Sequence, residues 1–388
     1  MKCSLKIIFI FTFGGQTSNL VILIPGDGGS QLEAKLNKTS VIHYICEKKT
    51  NDYFNVWLNM ELLVPLVIDF WIDNIKLVYN NVTRRTNNSP VPGFGNSDTV
   101  EWLDPSHAST GAYFKDISNS LLSLGLVKNI SIRGAPYDFR KDQVYFVQLK
   151  QLVEDTYNEN KQTSVILLAH SMGGPMSLYF LNQQKPILGK TNILKVYGVW
   201  GGSVKAIKAT TWVLMFCEKV LWRQEQITCP SLAWLLPSRL FWKPDEVLVQ
   251  TEKKNYTIND LQEFFKYIFP RWLGNERIQS HISLILNHLE LKFIVYMVLM
   301  SKTIENLVPG VDGYPTLLYG DGDGTVNRRS LEGCKYWQKA QKQKVYIKEL
   351  QQVDHLQILS NKTTISYITN LLKVFISKTD TIIRKIRE

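Results

Sequence analysis

A serine that follows a short apolar run is the residue whose surroundings most clearly predict chemistry. Residues 164–169 read Ser-Val-Ile-Leu-Leu-Ala, which is typical of a buried strand, and residues 175–182 have the pattern of a helix. Ser171 lies between them, with the small residues Ala169 and Gly173 two positions away on either side, as a tight strand-to-helix turn requires. A serine exposed on such a turn can act as a nucleophile. The same pattern also fits a serine that caps the helix of an ordinary strand–helix unit.

Two later residues could supply the acid and the base that such a serine needs. A strand predicted at 315–319 leads into Gly-Asp-Gly-Asp-Gly, where Asp323 is favoured over Asp321 because Gly-Thr-Val follows it directly. His355 follows the next predicted strand, at 345–350. The order serine, acid, histidine is that of α/β-hydrolases, in which the histidine takes the serine proton and the carboxylate fixes the imidazole. A calcium loop is the alternative for the aspartates, although no glutamate follows at EF-hand spacing.

A glycine-rich turn near the start of the chain could bind the negative charge of a tetrahedral intermediate. The predicted strand at 20–24 ends in Pro-Gly-Asp-Gly-Gly at 25–29. Glycines let main-chain amides approach a developing oxyanion closely. The amide of Met172, next to the serine, would be the second donor. A turn that merely ends a strand is the alternative.

The composition favours an ordinary folded protein with a basic surface. The chain has 388 residues, of which 45% are hydrophobic and 20% charged, and its formal net charge is +11. A basic chain favours an anionic partner. Nucleic acid is disfavoured because the lysines and arginines are spread along the chain without a basic-aromatic module. An anionic membrane surface is therefore the predicted partner.

The first 18 residues predict a secretory signal peptide, since they carry two lysines, an apolar run at 5–13 and small residues after it. A buried first strand is the alternative, but residues 20–24 fit that role better. Six Asn-x-Ser/Thr sequons fit secretion, although an asparagine-rich chain produces some by chance. If Cys3 is removed with the signal, four cysteines remain. Of these, Cys217 and Cys229 are close enough in sequence to close a small loop.

Segments rich in tryptophan and leucine interrupt the alternation of strands and helices. Residues 53–71 are the most apolar stretch, but charged residues and a proline divide it. It therefore predicts an interfacial helix or a buried cap helix rather than a transmembrane span. Residues 205–245 predict a lid over an apolar pocket, with a second small core as the alternative. Residues 193–199 predict another strand, and residues 278–299 predict a helix.

Long stretches of the chain resemble the lecithin–cholesterol acyltransferase family, and its lysosomal branch most closely. They include PGDGGSQLEAKL at 25–36, VWLNMELL at 56–63, RGAPYDFR at 133–140, AHSMGG at 169–174 and GDGDGTVN at 320–327. The resemblance implies an α/β-hydrolase fold over residues 19–388. Within that range it implies a lid or cap region at 203–300 and a small membrane-binding subdomain at 43–80.

The resemblance also implies an activity. Members of the family act as serine-dependent, calcium-independent phospholipases A and lipid transacylases, which move acyl chains from membrane glycerophospholipids to water or to a lipophilic alcohol such as ceramide. Ser171, Asp323 and His355 stand at the positions of the family's catalytic residues. Asp27 and Met172 stand at the positions of its oxyanion donors.

The resemblance further predicts partners and a location. Trp57, Leu58, Leu62 and Leu63 fall in the segment that binds membranes in the family. The implied partners are a phospholipid substrate and an anionic membrane surface, with no nucleic acid, no cofactor and no metal. A monomer in the lysosome, or secreted after removal of the signal peptide, is the expected form.

Departures from the family pattern leave other functions open. Phe70 stands where the family has the cysteine that pairs with the one matching Cys46, and the expected partner of Cys334 is also missing. Residues 196–202 read VYGVWGG, where the family has the longer SLGAPWGG. A catalytically impaired lipid-binding homologue is therefore one alternative, and a sterol O-acyltransferase is the other.

Overall fold

The computed structural model of the protein describes most of the chain after residue 19. The described residues are 20–64, 67–80, 85–86, 89–107, 111–141, 145–160, 162, 164–184, 191–211, 225–226, 228–268, 292–310, 315–343 and 345–373. The predicted signal peptide and Cys217 lie outside these ranges, so the predicted loop between Cys217 and Cys229 does too.

The described residues form fourteen strands. In chain order the strands are β1 (Leu20–Ile24), β2 (Leu32–Ala34), β3 (Phe54–Trp57), β4 (Tyr79–Asn80), β5 (Arg85–Thr86), β6 (Ile132–Gly134), β7 (Val165–Ser171), β8 (Thr191–Gly198), β9 (Val247–Gln250), β10 (Asn255–Thr257), β11 (Lys292–Leu299), β12 (Ser301–Val308), β13 (Thr316–Gly322) and β14 (Val345–Gln351).

The helices with described bounds are α1 (Ile68–Ile75), α2 (Asp98–Glu101), α3 (Lys115–Leu122), α4 (Phe146–Glu159), α5 (Gly173–Gln183), α6 (Val204–Thr211), α7 (Leu261–Ile268), α8 (Arg328–Leu331), α9 (Lys335–Ala340) and α10 (362–373). Short 3₁₀ turns also occur, among them Met60–Leu63 and Pro230–Leu235.

A parallel six-stranded sheet in the order β14-β11-β8-β7-β1-β6 forms the centre of the molecule. A four-stranded sheet in the order β10-β9-β12-β13 lies apart from it, and β2 pairs with β3 and β4 with β5. In the central sheet the chain passes from β1 across to β6, returns to β7 and then proceeds to β14. The central sheet with its crossover helices is the α/β-hydrolase fold that the sequence predicts.

Alternate residues of the central strands face two helical layers. In β1, Leu20, Ile22 and Ile24 pack in the core on the side of α4 and α5. Val21 and Leu23 pack in the core on the side of α3 and α10. Every residue of β7 is buried. Parallel strands that are covered on both faces are apolar nearly throughout, which explains the uninterrupted apolar run before Ser171.

Two secondary-structure predictions are wrong in part. The sequence predicts a helix within residues 53–71, but Phe54–Trp57 forms β3 and α1 begins only at Ile68. The sequence also predicts a helix at 278–299, but Lys292–Leu299 forms β11, which pairs with β8 and β14 in the central sheet. Residues 278–291 lie outside the described residues. The run KFIVYMVL has no helical periodicity, and a short apolar run of this kind fits a buried strand and a buried helix equally well. The end of the range 203–300, expected to be lid, therefore contributes a strand to the central sheet.

Part of the region after residue 205 contributes to a small core of its own, whereas residues 212–224 lie outside the described residues. Ile207 of α6, Trp242 and Leu248 pack with Phe264 and Leu307 in a cluster distinct from the two around the central sheet. This cluster underlies the four-stranded sheet. Among the helices of the described ranges, none is long and apolar enough to span a membrane.

Candidate active site

Ser171 ends β7 on a strained turn. Its φ angle is 55°, in the left-handed region that a residue with a side chain rarely adopts, and α5 begins two residues later. The turn depends on glycines for room. A Cβ atom added to Gly26 would lie 2.5 Å from Ser171 Cβ, and one added to Gly173 would lie 2.4 Å from the main-chain oxygen of Pro25. The predicted strand–turn–helix geometry around the serine is therefore confirmed.

Ser171, His355 and Asp323 lie in one hydrogen-bonded row. His355 Nε2 is 2.9 Å from Ser171 Oγ, and His355 Nδ1 is 2.6 Å from Asp323 Oδ2. Asp321, the competing acid, points elsewhere: its carboxylate binds Arg328 at 2.9 Å and accepts from the amide of Met300 at 2.6 Å. The structure thus brings together the three residues expected from the sequence, each at the end of a strand.

The Asp323 carboxylate is buried and well supplied with donors. Its Oδ1 accepts from the amides of Thr325 at 2.9 Å and Val326 at 2.7 Å. Burial acts to raise the pKa of Asp323, but the charge of His355 and the hydrogen bonds from His355, Val326 and Thr325 outweigh it, and the pKa lies below its usual value. The acid is therefore ionised and able to accept a hydrogen bond from the Nδ1–H group of His355.

The glycine-rich turn lies against the strand-to-helix turn of Ser171, as the predicted oxyanion site requires. Gly26 contacts Ser171 and the turn closes through a hydrogen bond from Gly29 N to Gly26 O at 3.1 Å. Asp27 directly follows Gly26, and Met172 directly follows Ser171. The assignment of their two amides as oxyanion donors stays a prediction.

A recess beside this turn holds two carboxyl groups that the sequence did not single out for their side chains. The recess is about 160 Å³ and includes Asp27, Trp57, Glu225 and Cys229 in its lining. Asp27 is exposed to solvent, and desolvation by the protein atoms around its carboxyl raises the pKa of that group above its usual value. Glu225 is buried, accepts from Cys229 Sγ at 2.9 Å, and burial raises its pKa to about 7.

Reasoning from sequence missed two residues beside the row of Ser171, His355 and Asp323. His170, which precedes the nucleophile, was set aside because it does not follow a late strand, yet its ring lies 4.9 Å from that of His355. Tyr113 contacts His170 from a loop 57 residues earlier in the chain. The position of His170 next to the serine was the one available signal, whereas nothing in the local sequence marks Tyr113.

The four residues expected to contact a membrane differ in exposure, and their role stays a prediction. Leu58 is buried, and Leu62 and Leu63 are half-buried against the core. Trp57 is half-buried, and its Nε1 donates to Gly28 O at 2.7 Å. Of these four side chains, that of Trp57 therefore lies beside the glycine-rich turn.

Other apolar side chains of the same region reach solvent, namely Ile42, Tyr44, Ile45, Tyr53, Met60 and Val64, and they are called the apolar patch below. Beside this patch is a cavity of about 700 Å³ whose lining includes Cys46 and Phe70. Cys46 is not in a disulfide.

Asp138 and Arg140 form a buried ion pair near the glycine-rich turn and β6. Arg140 Nε and Nη2 each lie 2.7 Å from one carboxylate oxygen of Asp138, and Arg140 Nη1 donates to the main-chain oxygen of Ile75. None of the three belongs to the row formed by the serine, histidine and acid. Within the described residues no cluster of histidine, cysteine and carboxylate side chains could hold a metal ion.

Comparison with known proteins identifies the family of the chain. The family described as "Lecithin:cholesterol acyltransferase" matches residues 53–312 and 309–362. The lysosomal phospholipase A and acyltransferase of Homo sapiens is 37% identical over 374 residues, which cover 91% of this chain and 90% of that protein. The phosphatidylcholine-sterol acyltransferase of Gallus gallus is 35% identical over 385 residues, covering 89% of this chain and 88% of that protein.

Among solved structures, that of the Tle4–Tli4 complex is 14% identical, with a TM-score of 0.48 and coverage of 92% of this chain and 98% of that chain. The two relatives named above each align with this chain over nearly their whole length and well above 30% identity. The chain belongs to the lecithin:cholesterol acyltransferase family.

Proposed function

We propose that the protein is a serine-dependent, calcium-independent phospholipase A and lipid transacylase. The observation that carries the proposal is the row of hydrogen bonds from Ser171 Oγ through His355 to Asp323. It is supported by the glycine-rich turn against the serine and by relatives named lysosomal phospholipase A and acyltransferase.

In the proposed acylation step, His355 Nε2 takes the proton of Ser171 Oγ as the oxygen attacks the ester carbonyl of a glycerophospholipid. The amides of Asp27 and Met172 stabilise the oxyanion of the tetrahedral intermediate. The C–O bond then breaks, and His355 gives its proton to the leaving lysophospholipid. Asp323 holds the imidazole in the required tautomer and stabilises the imidazolium.

In the proposed second step the acyl group leaves the serine. Water gives a free fatty acid and completes a phospholipase cycle, whereas a lipophilic alcohol such as ceramide gives an acylated alcohol. In both cases His355 removes the proton of the attacking oxygen and returns it to Ser171. No step of this mechanism calls for a metal or an organic cofactor.

Access to lipid is proposed to come from two parts of the chain. The apolar patch, within the expected membrane-binding subdomain at 43–80, supports contact with a bilayer, and the net charge of +11 favours an anionic one. The region 203–300 is proposed to include a lid over the site. A monomer that enters the secretory pathway through residues 1–18 and acts in the lysosome, or is secreted, fits these features and the named relatives.

A fluorophosphonate probe tests the proposed nucleophile. Folded wild-type protein should be labelled and Ser171→Ala should not, and only the wild type should release lysophospholipid from anionic vesicles. Absence of labelling in folded wild-type protein would contradict the proposal. Vesicle binding without product would instead favour a catalytically impaired lipid-binding homologue, for which the shorter stretch at 196–202 is the motivating observation.

A sterol O-acyltransferase is the second enzymatic candidate, because one relative is named phosphatidylcholine-sterol acyltransferase. Cholesterol and ceramide offered together in the same vesicles distinguish the two acceptors. The proposed function predicts acyl-ceramide as the main transacylation product, and a predominance of cholesteryl ester would favour the sterol enzyme.

A further inference from the structure

A buried chain of hydrogen bonds joins the glycine-rich turn to the loop of His355. Gly26 N donates to Tyr113 Oη at 3.1 Å, and Tyr113 Oη lies 2.5 Å from His170 Nδ1. On the other side of the ring, His170 Nε2 lies 2.9 Å from the main-chain oxygen of His355. Tyr113 is 7% exposed and His170 is 1% exposed, so the chain is shielded from water.

The polarity of each contact follows from the groups at its two ends. A carbonyl oxygen only accepts, so His170 Nε2 carries a hydrogen and donates it to His355. Nδ1 of the neutral imidazole is then an acceptor and takes the hydroxyl hydrogen of Tyr113, whose oxygen accepts from Gly26 N. Burial and the neighbouring His355 lower the pKa of His170 to about 3, which agrees with a neutral ring. One tautomer of His170 thus gives a partner to every polar atom in this row of hydrogen bonds.

The side chains of Tyr113 and His170 are tightly packed. A Cβ atom added to Gly29 would lie 2.9 Å from Tyr113 Cζ, so the tyrosine ring fits only against a glycine. The rings of Tyr113 and His170 meet edge to face at 5.4 Å. Tight packing of buried rings with satisfied polar atoms is what fixes a single geometry.

We propose that Tyr113 and His170 are positioning residues for acyl transfer, which hold the glycine-rich turn and the main chain of His355 in a fixed relation to Ser171. The proposal rests on the proposed function. Tyr113 acts through Gly26, whose next residue carries the predicted oxyanion amide, and His170 acts through the main-chain oxygen of His355. His170 also packs beside the imidazole of His355, since the centroids of the two rings are 4.9 Å apart.

The test compares two tyrosine variants in the full-length protein, with p-nitrophenyl butyrate as a soluble ester. Tyr113→Phe removes one hydroxyl and keeps the ring, and we expect kcat to fall about tenfold with KM within about twofold, because small displacements of reacting groups cost this much rate. Tyr145→Phe is the matched control. Its hydroxyl is also buried but has no partner among the described residues, so kcat should stay at the wild-type value.

A second pair of variants tests the histidine. His170→Gln offers an amide N–H that can reach the main-chain oxygen of His355, whereas His170→Ala offers none. We expect the glutamine variant to recover part of the kcat and of the fluorophosphonate labelling rate that the alanine variant loses. A merely structural role would lower the activity of both variants in proportion to the loss of folded protein, which circular dichroism measures.

The outcomes separate this inference from the proposed function. If the wild type hydrolyses the ester but Tyr113→Phe equals Tyr145→Phe in kcat and labelling rate, the inference is wrong and the proposed function stands. An activity loss fully explained by unfolding also overturns the inference. If folded wild-type protein is neither labelled nor active, the proposed function fails first and the inference with it.

Discussion

Asp323 and His355 are joined by both side chain and main chain. The imidazole Nδ1 lies 2.6 Å from Asp323 Oδ2, and the amide of His355 donates to the main-chain oxygen of Asp323 at 3.0 Å. The other carboxylate oxygen is held by two amides of the following turn. The acid is therefore fixed in place independently of the charge it carries.

Replacement of this acid by its amide should separate geometry from charge. In Asp323→Asn the side chain stays in its site, but the imidazole loses the acceptor that fixes its tautomer, and kcat is expected to fall about 10⁴-fold. Steady-state hydrolysis of a soluble ester measures this. The control is Asp321→Asn, which breaks an exposed contact with Arg328 and should change kcat by less than about twofold. Equal losses in both variants would contradict the assignment of the acid.

A methyl group on the glycine-rich turn should displace Ser171 and lower kcat. The Cβ atom of Gly26→Ala would lie 2.5 Å from Ser171 Cβ, so either the turn or the serine must move. We expect kcat to fall at least about 100-fold, since a displacement of about 1 Å costs this much. Gly95→Ala controls for backbone strain alone, because Gly95 has a φ of 89° but its added Cβ meets only Leu152, at 3.6 Å. That variant should lose stability and keep its turnover.

The buried Glu225 should make the fold more stable in acid than at neutral pH. Burial raises its pKa from 4.5 to about 7. Below pH about 4.5 the carboxyl is protonated in both folded and unfolded chains, and as the pH rises toward about 7 only the unfolded chain releases the proton. The free energy of unfolding therefore falls by about 3 kcal/mol over this interval, in the absence of compensating groups.

Glu225→Gln should remove most of this pH dependence while keeping the shape of the side chain. The difference in melting temperature between pH 5 and pH 7.5 is the measurement, and it should be smaller in the variant than in the wild type. Asp27, whose pKa is raised in the same direction, remains in the variant and accounts for a residual slope. An unchanged difference would show that Glu225 ionises normally in the folded protein.

The apolar patch should govern vesicle binding. Tyr44 and Ile45 are 88% and 63% exposed, and the double variant Tyr44→Ser, Ile45→Ser removes apolar surface without disturbing the core. We expect sedimentation with anionic vesicles to weaken by at least about tenfold, since burial of one such side chain contributes about 1.5–3 kcal/mol. Val147→Ser is the control, because Val147 is 80% exposed on α4, outside the patch. Equal binding by both variants would place the contact elsewhere.

Much of the central sheet and of the candidate site was predictable because their signals are local. The apolar run before Ser171, the small residues around it and the positions of Asp323 and His355 after strands are all visible within short windows. These short stretches have the residue types that the turns require. The turns then bring the three side chains together.

The remaining features depend on contacts between distant segments. The sequence of β11 does not distinguish a strand from a helix, because its apolar residues are continuous and its partners β8 and β14 lie far away in the chain. Tyr113 meets His170 across 57 residues. Leu58 is buried although its segment looks amphipathic, because β3 places it at the interior. Tertiary packing decides such cases, and no local pattern carries that information.

The acid of the candidate site comes from a different sheet than the nucleophile and the base. Ser171 and His355 follow β7 and β14 of the central sheet, whereas Asp323 follows β13 of the four-stranded sheet, which has its own core. Lys205 Nζ, 3.0 Å from Thr325 Oγ1, is among the contacts that hold the acid's turn. Turnover therefore depends on the packing of the four-stranded sheet against the central sheet, and in rising urea it should disappear before the far-ultraviolet circular dichroism signal of the protein is lost.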